Sequence, residues 1–212
     1  MAHFRQKIRR AAEGRGILAL YHFTRRENLL SILSNGLLSR EDLADTNLQY
    51  TYTDDARWDD TPRAISFSID SINSSMFDAK RKVDHRGWII LRVEREVLWT
   101  HSCRFCRQNA STSAVRNARG FLGGPWGFNS MFEDEDVYIP EERGYRSRRD
   151  HYQIPDNRPT WNDAEVQVLD PVDQKLITAI FVGNESMKAW AEDLAQQLGL
   201  DCEVIVDDYL AP

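Results

Sequence analysis

The sequence predicts an α+β fold with central antiparallel or mixed β-sheets, flanking helices and long loops. Short apolar or alternating segments recur along the chain, regular helices do not intervene between all of them, and long polar stretches separate several. The 212 residues are 42% hydrophobic and 28% charged, as in ordinary folded proteins. Because neither an internal repeat nor a linker marks a boundary, we expect a single domain over residues 1–212.

The N-terminal part predicts a helix and then a strand. The helix covers His3 to about Glu13, and Ile17–His22 is a buried strand. Thr24 and Glu27 have the spacing of a capping box, which predicts that a second helix starts here. His22 and Thr24 would then lie where a strand meets a helix N-terminus, a place suited to binding an anion.

This second helix places Leu29, Ile32 and Leu33 on one face and ends at Gly36, which is able to adopt a left-handed conformation. Residues 41–62 are polar and predict a long loop.

Two strands follow in the middle of the chain. Ala64–Ile69 alternates between apolar and polar residues, and the apolar run Trp88–Val93 predicts a central strand. Arg107–Arg119 predicts a helix capped by Ser111 or Ser113.

Two further stretches are predicted to be irregular. Phe121–Met131 combines three glycines, a proline and aromatic residues, so we expect no regular element there. Residues 133–158 lack periodicity and predict irregular surface.

The C-terminal third is regular again. Strands are predicted at Ala164–Leu169, Ile177–Val182 and Cys202–Val206. Asn184 is suited to cap a helix over Glu185–Leu198.

Charge and cysteine content exclude some classes of protein. The net charge of −6 argues against a passive, sequence-blind DNA-binding protein, although basic clusters could still line a groove. Cys103 and Cys106 form a single CxxC without the second pair of ligands that structural zinc requires, so we predict no metal site. The charged N-terminus lacks a signal-peptide pattern and no apolar run is long enough to span a membrane, so we expect a cytoplasmic protein.

Three segments together resemble the DarT family of bacterial DNA ADP-ribosyltransferases. They are YHFT at residues 21–24 with Asn28-Leu29, CRFCRQNAS at residues 103–111, and DAEVQV at residues 163–168. Residues 55–77 also resemble the arginine-bearing loop and following strand of this family. The resemblance covers residues 20–207 and depends on the order and spacing of these motifs.

The resemblance implies an ADP-ribosyltransferase-like fold, NAD+ as co-substrate and single-stranded DNA as acceptor. It implies that Glu165, on a strand whose other face is apolar, is catalytic and stabilises positive charge on the ribose. Arg57 is implied as a second catalytic residue that contacts NAD+ phosphate and the base, with Arg63 as the alternative. The residues implied to bind NAD+ are His22, Phe23, Thr24, Asn28 and Arg57.

The acceptor base requires stacking surfaces and a few polar contacts. Trp58, Trp126 and Phe128 are candidates for stacking, and Met76 and Asn109 are further candidates for substrate binding. An alternative interpretation of Trp126 and Phe128 is a hydrophobic plug that closes the sheet.

The CxxCxxNAS pattern resembles the guanine-modifying branch of the family, with thymine as the alternative base. The resemblance implies a toxin whose partner is an antitoxin of the macrodomain (DarG) or NADAR type. Two other functions stay open at this point: ADP-ribosylation of a protein or RNA, and a non-catalytic nucleotide-binding module.

Overall fold

The computed structural model describes residues 2–46, 48–51, 61–85, 87–117 and 122–211. The strands are β1 (Ala19–Arg25), β2 (Ile65–Ile69), β3 (Trp88–Glu94), β4 (Cys103–Cys106), β5 (Asp136–Ile139), β6 (Gly144–Ser147), β7 (Glu165–Val168), β8 (Ile177–Val182) and β9 (Glu203–Val206). The α-helices are α1 (Ala2–Gly14), α2 (Leu29–Asn35), α3 (Arg40–Asp45), α4 (Ser74–Val83), α5 (Val97–Thr100), α6 (Ser113–Arg116), α7 (Gly124–Ser130), α8 (Arg148–His151) and α9 (Glu185–Gln197). Short 3₁₀ turns occupy Arg26–Asn28, Gln174–Leu176 and Asp208–Leu210.

Seven strands form one mixed sheet in the order β4-β7-β2-β1-β3-β8-β9. Neighbouring strands are antiparallel except β8 and β9, which are parallel and are connected through α9. The strands β5 and β6 pair with each other as a separate hairpin. This arrangement confirms the predicted α+β class with a mixed sheet. The assignment of all 212 residues to one domain stays a prediction.

The sheet opens between β1 and β2. These two strands pair only at Leu20 with Ile69 and at Tyr21 with Ser68. Beyond this point β1 continues along β3 as far as Arg25, whereas β2 continues along β7. Two neighbouring strands thus separate within one sheet, and the backbone groups near His22 and Ser66 border a cleft.

Most predicted elements are confirmed, because their apolar faces are buried. Ile65, Phe67 and Ile69 of β2 are at most 4% exposed, and β3 lies inside the sheet as expected. The face of α2 with Leu29, Ile32 and Leu33 is buried as well. Asn184 caps α9 by accepting a hydrogen bond from the backbone N–H of Met187 at 2.9 Å.

The capping box at Thr24 and Glu27 was predicted wrongly. β1 extends through Thr24 to Arg25, because this part of the strand pairs with β3. The chain then forms the 3₁₀ turn and α2 without a side-chain cap at either start. A capping box does form later, between Ser39 and Asp42, and it begins α3 inside the segment predicted as a loop.

Three other predictions are corrected. The helix expected at Arg107–Arg119 is limited to α6 among the described residues, and Thr112 caps it. The stretch after Phe121 contains α7, with Pro125 in its first turn. A proline there loses no helical hydrogen bond, and this favours a helix start despite the glycines. Residues 133–158 contain the β5–β6 hairpin and α8. Asp134, just before β5, connects the two ends of this hairpin because it accepts hydrogen bonds from the hydroxyl of Ser147 and from the N–H of Arg149.

Among the described residues, each helix is too short or too polar to cross a lipid bilayer.

Candidate active site

A cavity of about 360 Å³ lies where β1 and β2 separate. Its size is within the range of small-molecule sites, roughly 300–1,000 Å³. Its walls come from β1, α2, the segment leading into α3, β2 and α4, together with the turns next to β4 and β7. The predicted site residues that line it are His22, Phe23, Thr24, Asn28, Met76, Asn109 and Glu165.

His22 bridges the two separating strands. Its Nδ1 lies 2.8 Å from the carbonyl oxygen of Ser66, and its ring centroid lies 5.6 Å from that of Phe67. Because a carbonyl oxygen only accepts, Nδ1 is the donor, and the neutral ring then carries its acceptor lone pair on Nε2. This contact fixes the orientation of the imidazole at the cavity wall.

Thr24 shares the face of β1 that carries His22, since side chains alternate along a strand. Thr24 is 8% exposed, and its hydroxyl accepts a hydrogen bond from Nδ2 of Asn28 at 3.0 Å. Phe23 points to the other face, where its ring packs against Phe77 and Trp88 at centroid distances of 5.1 and 6.0 Å. Phe23 therefore borders the cavity while its ring stabilises an aromatic cluster under α4.

Asn28 holds the chain segment that leads into residues 52–60. Its amide nitrogen donates to the carbonyl oxygen of Thr51 at 2.7 Å, and its Oδ1 accepts from the N–H of Thr51 at 2.7 Å. With the additional bond to Thr24, one side chain connects β1, the start of α2 and this segment.

Glu165 is fixed at the start of β7 by a turn that follows β4. Its Oε2 accepts a hydrogen bond from the N–H of Ala110 at 3.0 Å. The turn is shaped by Asn109, whose Oδ1 accepts from the N–H and the hydroxyl of Ser111 at 3.0 and 2.6 Å. Asp163 supports the same turn by accepting from the N–H of Asn109 at 3.3 Å. The NAS part of the sequence pattern thus positions the carboxylate.

The aromatic residues of α7 do not reach the cavity. Phe128 is 0% exposed and packs against Phe105 and Phe132 at centroid distances of 5.4 and 5.2 Å. A ring buried in this way has no face left for a nucleobase, so the structure favours the alternative interpretation of Phe128 as a core residue. Trp126 is 65% exposed, but it lies outside the cavity lining, against Phe4.

The predicted loop residues Arg57 and Trp58 lie outside the described residues. Arg63, the alternative to Arg57, is described: its Nε lies 3.1 Å from Oε2 of Glu41 and its side chain is 70% exposed. This surface ion pair lies outside the lining of the cavity.

Two basic residues of the cavity were missed in the sequence. Arg40 lies in the first turn of α3, and Lys80 lies in α4. Lys80 belongs to a basic cluster that local sequence does not distinguish from ordinary surface, and Arg40 becomes a wall residue through the capping box of Ser39. These two residues give the cavity cationic groups of the kind that bind phosphates.

The cysteines lie in or near β4 and β9. Cys106 is 0% exposed, and burial raises the pKa of the Cys103 thiol to about 12, which disfavours the thiolate that a metal ligand requires. In the part of the chain that the structure describes, no group of three or more histidine, cysteine or acidic side chains lies close enough to hold a metal ion.

Comparisons with known proteins identify relatives of this chain. Residues 21–209 match the family model described as ssDNA thymidine ADP-ribosyltransferase, DarT. A comparison with curated protein sequences gave no match.

Three solved structures share the fold. DarT of Thermus sp. 2.9 in complex with NAD+ has a TM-score of 0.58 at 12% identity, over 92% of this chain and 98% of that one. The same protein in complex with ADP-ribosylated ssDNA has a TM-score of 0.57 at 13% identity, over 93% and 97% of the two chains. Thermosipho africanus DarTG in complex with ADP-ribose has a TM-score of 0.54 at 14% identity, and 91% of this chain covers 50% of that longer chain.

The family match extends from β1 to the 3₁₀ turn after β9 and includes each segment that lines the cavity. The chain therefore belongs to the DarT family of single-stranded DNA ADP-ribosyltransferases.

Proposed function

We propose that the cavity between β1 and β2 binds NAD+ and that Glu165 promotes transfer of its ADP-ribose to a base of single-stranded DNA. We favour guanine as the acceptor on the CxxCxxNAS pattern of residues 103–111, with thymine, the base in the description of the family model, as the alternative.

The observation that carries the proposal is the position of Glu165. Its carboxylate is fixed by Ala110 and lines the same cavity as His22, although the two residues lie on β7 and β1. A carboxylate at this place is able to hydrogen-bond a ribose hydroxyl and to stabilise positive charge that develops on the sugar. DarT of Thermus sp. 2.9, which shares the fold, was solved with NAD+ and with ADP-ribosylated ssDNA.

The lining residues fit a dinucleotide. The cations Arg40 and Lys80 suit a pyrophosphate, while the hydroxyl of Thr24 and the imidazole of His22 suit ribose or amide groups. NAD+ supplies an electrophilic ribose carbon whose bond to nicotinamide breaks with the electron pair going to nicotinamide. A nitrogen of the base forms the new bond to this carbon and releases its proton to solvent. Glu165 stabilises the ribose during this exchange.

Arg57 is our proposed second catalytic residue, and in the sequence it follows the segment that Asn28 anchors at Thr51. A guanidinium is protonated at neutral pH and is a poor base. We therefore assign it to binding the NAD+ phosphate and orienting the base.

A transfer assay tests the proposal. The protein is incubated with NAD+ and with single-stranded oligonucleotides that contain guanine, or thymine, at one position. We expect the guanine oligonucleotide to gain the mass of ADP-ribose and the rate to fall about 100- to 1,000-fold in Glu165→Ala. Glu203→Ala is a matched control, since Glu203 also begins a strand but is 62% exposed.

The assay also separates the alternatives. Gain of mass on the thymine oligonucleotide alone would overturn the choice of guanine. If no oligonucleotide gains mass and labelled NAD+ modifies material in a cell lysate that resists DNase, the acceptor is a protein or RNA. Absence of any turnover would favour a non-catalytic binding module.

We further propose that the protein acts as a cytoplasmic toxin whose mark on DNA is removed by an antitoxin of the macrodomain (DarG) or NADAR type. Support comes from Thermosipho africanus DarTG, half of which this chain covers. Expression of the wild type should stop growth, Glu165→Ala should not, and co-expression of a macrodomain ADP-ribosyl hydrolase should restore growth. Equal toxicity of both forms would contradict this role.

A further inference from the structure

An exposed aromatic pair lies outside the cavity. Phe4 of α1 and Trp126 of α7 are 42% and 65% exposed, and their rings meet edge to face with centroids 5.4 Å apart. Exposed apolar side chains that lie next to each other, rather than scattered singly, often mark a site of interaction. We call Phe4, Trp126, Lys7 and Arg10 the aromatic-basic surface.

This surface is positively charged in an otherwise acidic protein. The helix α1 contains one acidic residue, Glu13, and four basic ones: Arg5, Lys7, Arg9 and Arg10. The whole chain, by contrast, has a net charge of −6. Arg9 is engaged with Glu13 at 2.8 Å. Lys7 and Arg10 are exposed and follow Phe4 at intervals of three residues. Each is one turn from the residue before it, so the three side chains form an oblique row that winds from Phe4 around the exposed surface of the helix.

The aromatic-basic surface is built on the part of the protein that carries Glu165. α1 packs against α7, and Phe128 of α7 packs against Phe105 of β4. In turn, Phe105 pairs with Val166, and the next pair is Cys106 with Glu165. Strand pairs and packed rings therefore connect the surface to the strand that begins with Glu165, although the side chains of Phe105 and Glu165 point to opposite faces of the sheet.

We propose that the aromatic-basic surface binds nucleotides that flank the modified base in single-stranded DNA. Unpaired bases stack on aromatic rings whatever their sequence, and basic side chains next to the rings contact the phosphates. A polyanion with exposed ring faces matches both properties, whereas a protein partner would need to bring its own acidic patch. The inference deepens the proposed function and rests on it.

A long and a short oligonucleotide distinguish this surface from the cavity. Binding of fluorescein-labelled 20-mer and 5-mer single strands is measured by polarisation without NAD+, and transfer to both is measured with NAD+. We expect Lys7→Glu with Arg10→Glu to weaken 20-mer binding at least tenfold while transfer to the 5-mer stays within twofold. The slope of log affinity against log salt should fall by about 1.4, which is about 0.7 for each lost phosphate contact.

Trp126→Ala tests the stacking part separately, and we expect it to weaken 20-mer binding about fivefold or more. Two variants on α9 serve as controls: Lys188→Glu is compared with Lys7→Glu alone for the reversal of one charge, and Trp190→Ala with Trp126→Ala for the loss of an exposed tryptophan. Unchanged melting temperatures verify that the variants are folded. The inference would be overturned if the α1 variant bound the 20-mer as tightly as its control does. It would also be overturned if the variant lost affinity for the 5-mer and the 20-mer by the same factor.

The two proposals fail in different ways. If the wild type transfers ADP-ribose to both lengths and the variants bind the 20-mer normally, the proposed function holds and this inference is wrong. If no oligonucleotide is modified but the 20-mer binds and the variants lose it, the surface binds DNA and the proposed function is wrong.

Discussion

The imidazole of His22 and the carbonyl group of Ser66 are hydrogen-bonded at 2.8 Å across the point where β1 and β2 separate. A side chain here makes a contact in place of the backbone pairing that ends at Tyr21 and Ser68. The carbonyl group of Ser66 thus keeps a hydrogen-bond partner where the strands diverge.

His22→Ala should therefore affect NAD+ binding and stability together. One hydrogen bond contributes about 1 kcal/mol, which corresponds to about 2–4 °C in melting temperature for a chain of this size. We expect the KM for NAD+ to rise about tenfold, as measured by steady-state transfer. His151→Ala, at an exposed site in α8, is the control. An unchanged KM would remove His22 from the binding site.

Asn28→Asp should loosen the segment that ends at Thr51. The substitution keeps the shape of the side chain but removes the donor that now binds Thr24 and the carbonyl of Thr51. Because a carboxylate would repel the carbonyl oxygen of Thr51, we expect the KM for NAD+ to rise at least tenfold with a smaller effect on kcat. Kinetics at varied NAD+ concentration measure both values.

Asn35→Asp is the matched control for this change, because Asn35 makes one exposed hydrogen bond to the carbonyl of Ser31. Equal effects of the two substitutions would show that Asn28 has no special role in the site.

Gly127→Ala should destabilise the packing of α7 on β4. A Cβ at this position would lie 2.2 Å from the carbonyl oxygen of Leu122, which itself accepts the N–H of Phe105. Overpacking of this kind costs about 1–3 kcal/mol. Thermal unfolding of the variant should show a melting temperature several degrees below that of the wild type.

Gly14→Ala provides the comparison, since a Cβ at Gly14 meets nothing within 4 Å. It should leave the melting temperature unchanged or raise it slightly. A Gly127→Ala protein as stable as Gly14→Ala would contradict the close contact.

Cys103 should make stability depend on pH in the alkaline range. Burial raises the pKa of its thiol to about 12, whereas an unfolded cysteine titrates near pH ~8.5. The resulting stabilisation is complete below pH ~8.5 and is lost as the pH rises towards 12, by about 1.4 kcal/mol per pH unit between these values. Denaturant unfolding from pH 8 to 11 measures this slope.

Cys103→Ala should show a smaller slope, since the other alkaline groups are the same in both proteins. If the two slopes coincide, the Cys103 thiol is not protected by the fold.

The strands and long helices could be predicted because their burial follows from local periodicity. Ile65, Phe67 and Ile69 alternate with polar residues, so one face of β2 had to be buried. The end of β1 could not be predicted, because Thr24 and Arg25 stay extended through pairing with the distant residues Ile89 and Trp88. Tertiary pairing here overrides a local capping pattern.

The cavity shows the same division between local and distant information. The motifs with His22, Asn109 and Glu165 are recognisable in sequence, and the structure brings these residues to one cavity. Arg40 and Lys80 were missed because charge alone does not reveal which face of a surface helix lines a cavity. Trp126 and Phe128 were grouped by composition, but a helix places one on the surface and buries the other.

The pairing of Cys106 with Glu165 has a consequence for how this region is able to evolve. Ala110 reaches the carboxylate only because three residues separate it from the paired cysteine. An insertion or deletion in that interval would rotate the donor away from Oε2, whereas many exchanges of the intervening side chains would leave the backbone path intact. Loop length, more than residue identity, should therefore be the constrained property at residues 107 and 108, whereas residue 109 shapes the turn through its side chain.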